Sequence, residues 1–156
     1  MLAQLNLDDY YIDELSFTVN RDHVPSETLC GTIDLDFDIS RNSDKPLDFM
    51  IYMRVDINPR EEDFQKCDYR IHLVLNGFFS FEDGTTEDTI SNMIAPNGLS
   101  MLYGVARGVV SSATALSWHG KFVLPSLNLI EIIKRKAEAT SGTGKTKRKT
   151  KKKNVN

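Results

Sequence analysis

Apolar and polar residues alternate along much of the first eighty positions. Ile33, Leu35, Phe37 and Ile39 interleave with Asp34, Asp36 and Asp38, a period of two that sends carboxylates to one face and apolar side chains to the other. The pattern predicts a half-buried antiparallel strand. Phe49, Ile51, Met53, Val55 and Ile57 alternate in the same way with Met50, Tyr52, Arg54 and Asp56, and this second run stops at Asn58-Pro59. A charged stretch from Asn58 to Asp68 reads as a hairpin connection. Tyr69, Ile71, Leu73 and Leu75 then resume the alternation, with Gly77 placed for a bend or bulge before Phe78, Phe79 and Phe81. Near the start, Tyr11, Leu15, Phe17 and Val19 suggest one more strand, bounded by Asn20 to Pro25.

The period changes after residue 85. Thr85 or Thr86 is placed to cap a short helix running to Ala95, with Glu87 and Asp88 favourable in its first turn, and Pro96-Asn97-Gly98 is expected to break it. A longer helix is predicted from about Leu99 to Trp118, where Leu102, Val105, Val109 and Ala113 recur at helical spacing. Gly108, Ser111, Ser112 and Ala115 give it a small face suited to another helix, such as a partner subunit's. The segment from Phe122 reads as extended and then helical, ending near Lys134. Strands first and helices afterwards imply an α+β domain: a four-stranded antiparallel sheet with helices packed on one face. The predicted division is a domain over 1–136 and a disordered Lys-rich tail over 137–156.

Charge sharpens this division. The net charge of −3 over 156 residues conceals 9 Lys/Arg against 21 Asp/Glu up to Ile133, and 10 against 1 from Lys134 onward. So acidic a body repels phosphate backbones, which leaves the tail, Lys145 to Lys153, as the part suited to nucleic acid, ribosomes or acidic lipids. The run lacks aromatic residues for stacking on bases. Cys30 and Cys67 have no paired spacing, which fits a reducing compartment and argues against a disulfide framework or a zinc site. With no secretory leader pattern at the start and no apolar run of about 18 residues, the expected location is the cytoplasm, without membrane insertion.

Candidate chemistry is sparse. Gly142-Thr143-Gly144-Lys145-Thr146 ends like a phosphate-binding loop, but Ala139 stands where the first glycine is needed and no strand precedes it. Of the three histidines, His72 is predicted on the outer sheet face and His23 and His119 in loops. Cys30 with His23 is the nearest approach to a nucleophile and base. No cofactor, metal or catalytic set is expected, and the chain reads as non-enzymatic.

Gly77-Phe78-Phe79-Ser80-Phe81, then Leu102-Tyr103-Gly104-Val105-Ala106-Arg107 and finally Leu124-Pro125-Ser126-Leu127-Asn128-Leu129 resemble, in order and spacing, the SecB export chaperones. The likeness extends to Tyr11 to Phe17 and covers roughly Leu5 to Ile133. It implies a four-stranded sheet with helices on one side and a homotetramer built as a dimer of dimers. It also implies an ATP-independent holdase that keeps unfolded clients competent for export or folding and hands export clients to the SecA translocase. The resemblance points to Phe78, Phe81, Met93, Leu99, Met101, Tyr103, Trp118, Phe122 and Leu127 as client-groove candidates. It places a translocase-docking face at Glu14, Thr18, Arg70 and His72. There Glu14 keeps the family's acid, Thr18 stands where a second acid is usual, and Arg70 and His72 replace an apolar residue and another acid. Those departures bring in a second possibility, the SecB-like chaperone dedicated to an antitoxin in a toxin–antitoxin–chaperone system.

Overall fold

The computed structural model describes residues 4–24 and 31–143, with side chains to residue 140. The chain divides into two compact units between Ser126 and Leu127. In the first, strands β1 (Leu5–Val19), β2 (Ile33–Arg41), β3 (Asp48–Ile57) and β4 (Tyr69–Phe81) form one antiparallel sheet in the order β1-β4-β3-β2.

The alternation of β3 and β4 sets the core. Ile51, Met53, Val55, Leu73 and Leu75 are fully buried on one face, whereas Tyr52, Arg54, His72 and Asn76 on the other are partly open. Gly77 neither bends nor bulges β4. It keeps its place in the buried row, because a Cβ there would come within 2.9 Å of Leu102 Cδ1 and 2.8 Å of Phe79 Cε2. Close approach of Leu102 from a helix and of the Phe79 ring on the same strand, not a bend or bulge, is what leaves no room for a side chain here.

The irregularities lie in β1 instead, between Leu7 and Asp9 and between Ile12 and Glu14. Each bulge inserts one residue and so reverses the phase of the strand. As a result Leu5, Leu7, Tyr10, Ile12, Leu15, Phe17 and Val19 all stand opposite helix-side residues of β4, although their spacing is not a uniform two. The inserted residues, Asp8 and Asp13, turn to β4 for partners: Ser80 Oγ donates to Asp8 Oδ1 at 3.0 Å and Asn76 Nδ2 to Asp13 Oδ2 at 2.5 Å. Tyr11, expected among the apolar row, lies instead on the outer face with its ring edge-on to Phe78 at 5.5 Å.

The β3–β4 connection contains one helical turn, α1 (Glu61–Phe64), which has no buried residue and hence no apolar periodicity to announce it. Thr86 caps α2 (Glu87–Met93), its hydroxyl accepting from the Thr89 amide. Pro96 does not break the chain out of helix. Ile94–Gly98 forms a π-helical turn that runs directly into α3 (Leu99–Thr114), a wider turn that admits a residue lacking an N–H. The helix ends four residues short of Trp118. The buried Thr114 hydroxyl donates to the Val110 carbonyl at 2.8 Å and accepts the Phe122 amide at 2.8 Å, which fastens the returning chain to the helix end.

α3 buries Leu99, Leu102, Tyr103, Ala106, Val110 and Thr114. Of the predicted stripe Leu102 is fully buried, whereas Val105, Val109 and Ala113 are half-exposed, and the buried face continues through Ala106 and Val110 instead. The second unit contains α4 (Leu129–Thr143), which continues nine residues past the predicted end at Lys134. Residues 137–143 of the expected tail are therefore helical, and 144–156 lie outside the described residues.

Candidate functional site

The sheet has two dissimilar faces. On the helix side, β1 leaves a row of large apolar side chains open: Tyr10, Ile12, Leu15 and Phe17 are 37–44% exposed. Across from them on α3, no described residue lies within 4 Å of where a Cβ would stand on Gly104 or Gly108. A cavity of about 460 Å³ is lined by Tyr10 and Ile12 from β1 and by Val105, Gly108, Val109 and Ser112 from α3. Among the described residues β1 pairs with β4 alone, so this apolar row lies along an open sheet edge.

A second apolar surface lies on the loop after α3. Leu116 is wholly exposed and Trp118 is 71% exposed, with the Arg21 guanidinium over the indole at 5.7 Å. The backing of this loop is fixed. His119 Nε2 lies 2.7 Å from the Asn20 carbonyl, the Tyr69 hydroxyl donates to the Gly120 carbonyl at 2.5 Å, and Phe122 packs edge-on against Tyr69 at 5.7 Å. His23, from the loop after β1, lies 2.7 Å from Asp68 Oδ1. Its suggested partner Cys30 lies outside the described residues, as does the phosphate-loop-like segment from Gly144 onward.

The nine groove candidates do not share one surface. Leu99 is fully buried, and Phe81 and Tyr103 are 5% exposed; all three are core. Phe81 continues the helix-side row of β4 and packs against Phe49 at 5.7 Å. Leu99 opens α3 on its buried face, and the Tyr103 hydroxyl donates to the Pro125 carbonyl at 2.7 Å, its pKa pushed up to about 12 by burial. Phe78 points to the outer face, away from the helices. Met93, Met101 and Phe122 are half-buried, Trp118 stands open, and Leu127 belongs to the second unit. The β1 row escaped sequence reading except for Leu15 and Phe17. Its signal was the doubled acids Asp8-Asp9 and Asp13-Glu14, which mark the two phase reversals.

The four docking-face candidates are brought together on the outer face of β1 and β4. Thr18 stands directly opposite Arg70, and Ser16 opposite His72. Arg70 Nη2 donates to Glu61 Oε2 at 2.5 Å, with its guanidinium over the Phe64 ring at 4.5 Å. His72 lies between Asp56 on β3 and Glu14 on β1. Further along, Arg54 Nη2 donates to Asp34 Oδ2 at 3.3 Å, and Arg54 Nε lies 3.0 Å from Asp56 Oδ2 as an ion pair without hydrogen-bond alignment. Most of the charge on this part of the face is compensated within the protein.

No family model and no curated protein matches the chain. Among solved structures, a SecB-like chaperone of Mycobacterium tuberculosis in complex with a ChAD peptide from the HigA1 antitoxin superposes with a TM-score of 0.54 at 18% identity, covering 80% of this chain and 91% of that one. The fold is SecB-like. A protein of unknown function from Streptococcus agalactiae also aligns, with a TM-score of 0.42 and 10% identity over 78% of this chain and 97% of that one. The likeness is one of fold and does not by itself assign a task to the exposed residues.

Proposed function

We propose that this chain is a non-catalytic, ATP-independent holdase that binds unfolded polypeptides and keeps them competent for export or folding. The observation that carries the reading is the apolar surface left open beyond α3 on a SecB-like scaffold, with Leu116 wholly exposed and Trp118 71% exposed. Apolar side chains on a loop accept many sequences without strict geometry, and the acidic remainder keeps a loaded complex in solution. The client surface is assigned to the loop after α3, at Leu116 and Trp118. The β1 row and the small face of α3 are assigned to contacts between copies, in a homotetramer working in the cytoplasm.

The test is suppression of aggregation. A chemically denatured protein diluted into buffer with stoichiometric chaperone and no nucleotide should stay in solution and elute with the chaperone. Aggregation at the uncatalysed rate, with no co-eluting client, would remove the holdase reading.

A second reading is favoured by a specific observation. In the translocase-docking region, Glu14 is engaged by His72, and Thr18 and Arg70 supply no acid, while the similar solved structure holds an antitoxin peptide. A dedicated antitoxin client therefore competes with general export and handover to SecA. Binding of an antitoxin C-terminal peptide in the absence of any SecA affinity would decide for the dedicated role, and the converse pair of results for export.

A further inference from the structure

Both ring nitrogens of His72 face carboxylates. Nδ1 lies 2.6 Å from Asp56 Oδ1 on β3, and Nε2 lies 3.1 Å from Glu14 Oε2 on β1. An ionised carboxylate only accepts, so each contact is a hydrogen bond only when the ring nitrogen carries a proton. Neutral imidazole has one N–H and satisfies one side; imidazolium satisfies both. We propose that protonated His72 is a clasp that fastens the edge strand β1 to the inner strand β3 across β4, and that its deprotonation releases Glu14, so that the hold on β1 is set by pH.

The clasp stands where β1 needs it. The backbone ladder is interrupted between Ile12 and Glu14, and side chains bridge to β4 at this bulge: Asp13 to Asn76 and Glu14 to His72. The two contacts of the ring are unequal. Asp56 is 17% exposed and its contact is the shorter, whereas Glu14 is 67% exposed. A ring that keeps one proton keeps it on Nδ1 toward Asp56, which turns the Nε2 lone pair against Glu14.

The surrounding charges preserve this order. From β3, Arg54 holds the other oxygen of Asp56 and reaches Asp34 on β2. On β4 itself, Arg70 is taken up by Glu61 of α1, and the β1 residue opposite His72 is the uncharged Ser16. The hydrogen bond to Asp56 raises the His72 pKa above its usual value of about 6.5; desolvation opposes this, and the charges of Asp56 and Glu14 add to it. A raised value places the clasp fully closed below about pH 6.5 and opens it as pH rises through the folded-state value.

Because β1 carries Tyr10, Ile12, Leu15 and Phe17, the clasp sets how firmly that apolar row is presented. Any consequence for self-association rests on the assignment of that row to contacts between copies, but the clasp itself is tested without it. The full chain is followed by NMR from pH 5.5 to 8.5, reading the His72 ring nitrogens and the exchange of β1 amides corrected for intrinsic rates.

The expected result is a doubly protonated ring at pH 6 and the Nδ1–H tautomer at the upper end. Amides of residues 12–16 should exchange several-fold faster there, while Asn6 and Leu7 are unchanged. Glu14→Ala should show the fast exchange already at pH 6. Glu14→Gln either accepts from Nε2–H or donates to bare Nε2, so it should keep β1 protected and abolish the pH response. A neutral ring at pH 6, wild-type exchange equal at both ends of the range, or Glu14→Ala matching wild type at pH 6 would each overturn the clasp.

Discussion

A Cβ on Gly98 would stand 2.5 Å from Ile51 Cδ1. Gly98 closes the π-helical turn with ordinary right-handed dihedrals, so its backbone accepts any residue and only the contact with β3 demands glycine. Gly98→Ala gains up to about 1 kcal/mol of helix propensity. The Ile51 methyl end must then shift within a fully buried environment, and overpacking of that kind costs about 1–3 kcal/mol. Urea denaturation should show a net loss of stability, and Ile51→Val in the same chain should restore much of it.

Gly104 and Gly108 make the opposite case. Both lie inside α3 with no described residue within 4 Å of an added methyl, so alanine at each should raise the stability of the single chain by about 0.5–1 kcal/mol. If this face meets another copy, the same methyls hold the two surfaces apart. Light scattering across a dilution series should then show weaker self-association for Gly104→Ala/Gly108→Ala, together with a higher denaturant midpoint at concentrations where the chain is monomeric. Unchanged association would assign the small face to solvent.

How far the sequence disclosed the fold depended on whether one face of each element was wet. β2, β3 and β4 were legible because water on the outer face enforces strict alternation. β1 was half-legible, since two single-residue bulges reset its phase and a uniform period of two loses the row after Leu7. On α3 Leu102 was legible and the residues after it were not, because Val105 and Val109 look like core by spacing while the buried face runs from Leu102, which meets Gly77, through Ala106 and Val110. Among groove candidates, Leu99 and Trp118 are equally apolar on paper. Only tertiary packing separates the residue that fills the core from the one left in solvent.

Asn58 ties the end of β3 to the start of β4. It is 1% exposed and holds φ at +50°, a left-handed conformation that asparagine tolerates. Its Oδ1 accepts the Thr32 amide at 3.0 Å and its Nδ2 donates to the Tyr69 carbonyl at 2.7 Å. Asn58→Ala leaves both backbone groups unpaired and adds backbone strain, with an expected cost of about 2–4 kcal/mol. Asn58→Gly should relieve the strain and recover only part of this loss. Asn58→Asp keeps the acceptor for Thr32 but turns a second oxygen on the Tyr69 carbonyl. The neutral carboxyl is then favoured in the folded chain, so its stability relative to wild type should fall as pH rises through the carboxylate range. Thermal melts at pH 4 and pH 7 would check the sign.

Substitutions at the surface beyond α3 and in the core beneath it should separate binding from folding. Trp118 and Leu116 project from a loop whose backing is held by His119, Tyr69 and Thr114, so Trp118→Ala and Leu116→Ser should change stability by no more than about 0.5 kcal/mol. On the holdase reading, the double variant should weaken capture of a denatured client by about fivefold or more, equivalent to roughly 1 kcal/mol. Leu99→Ala removes a fully buried side chain and should cost about 2–5 kcal/mol of stability. Where Leu99→Ala stays folded, its client affinity should equal that of wild type, since the residue faces the sheet and not a client. A Leu99→Ala chain that is folded but defective in capture, beside a fully active Trp118→Ala/Leu116→Ser chain, would move the client surface from this loop to the helix start. Both quantities come from the same preparations, by urea titration of the chaperone alone and by anisotropy of a labelled unfolded client.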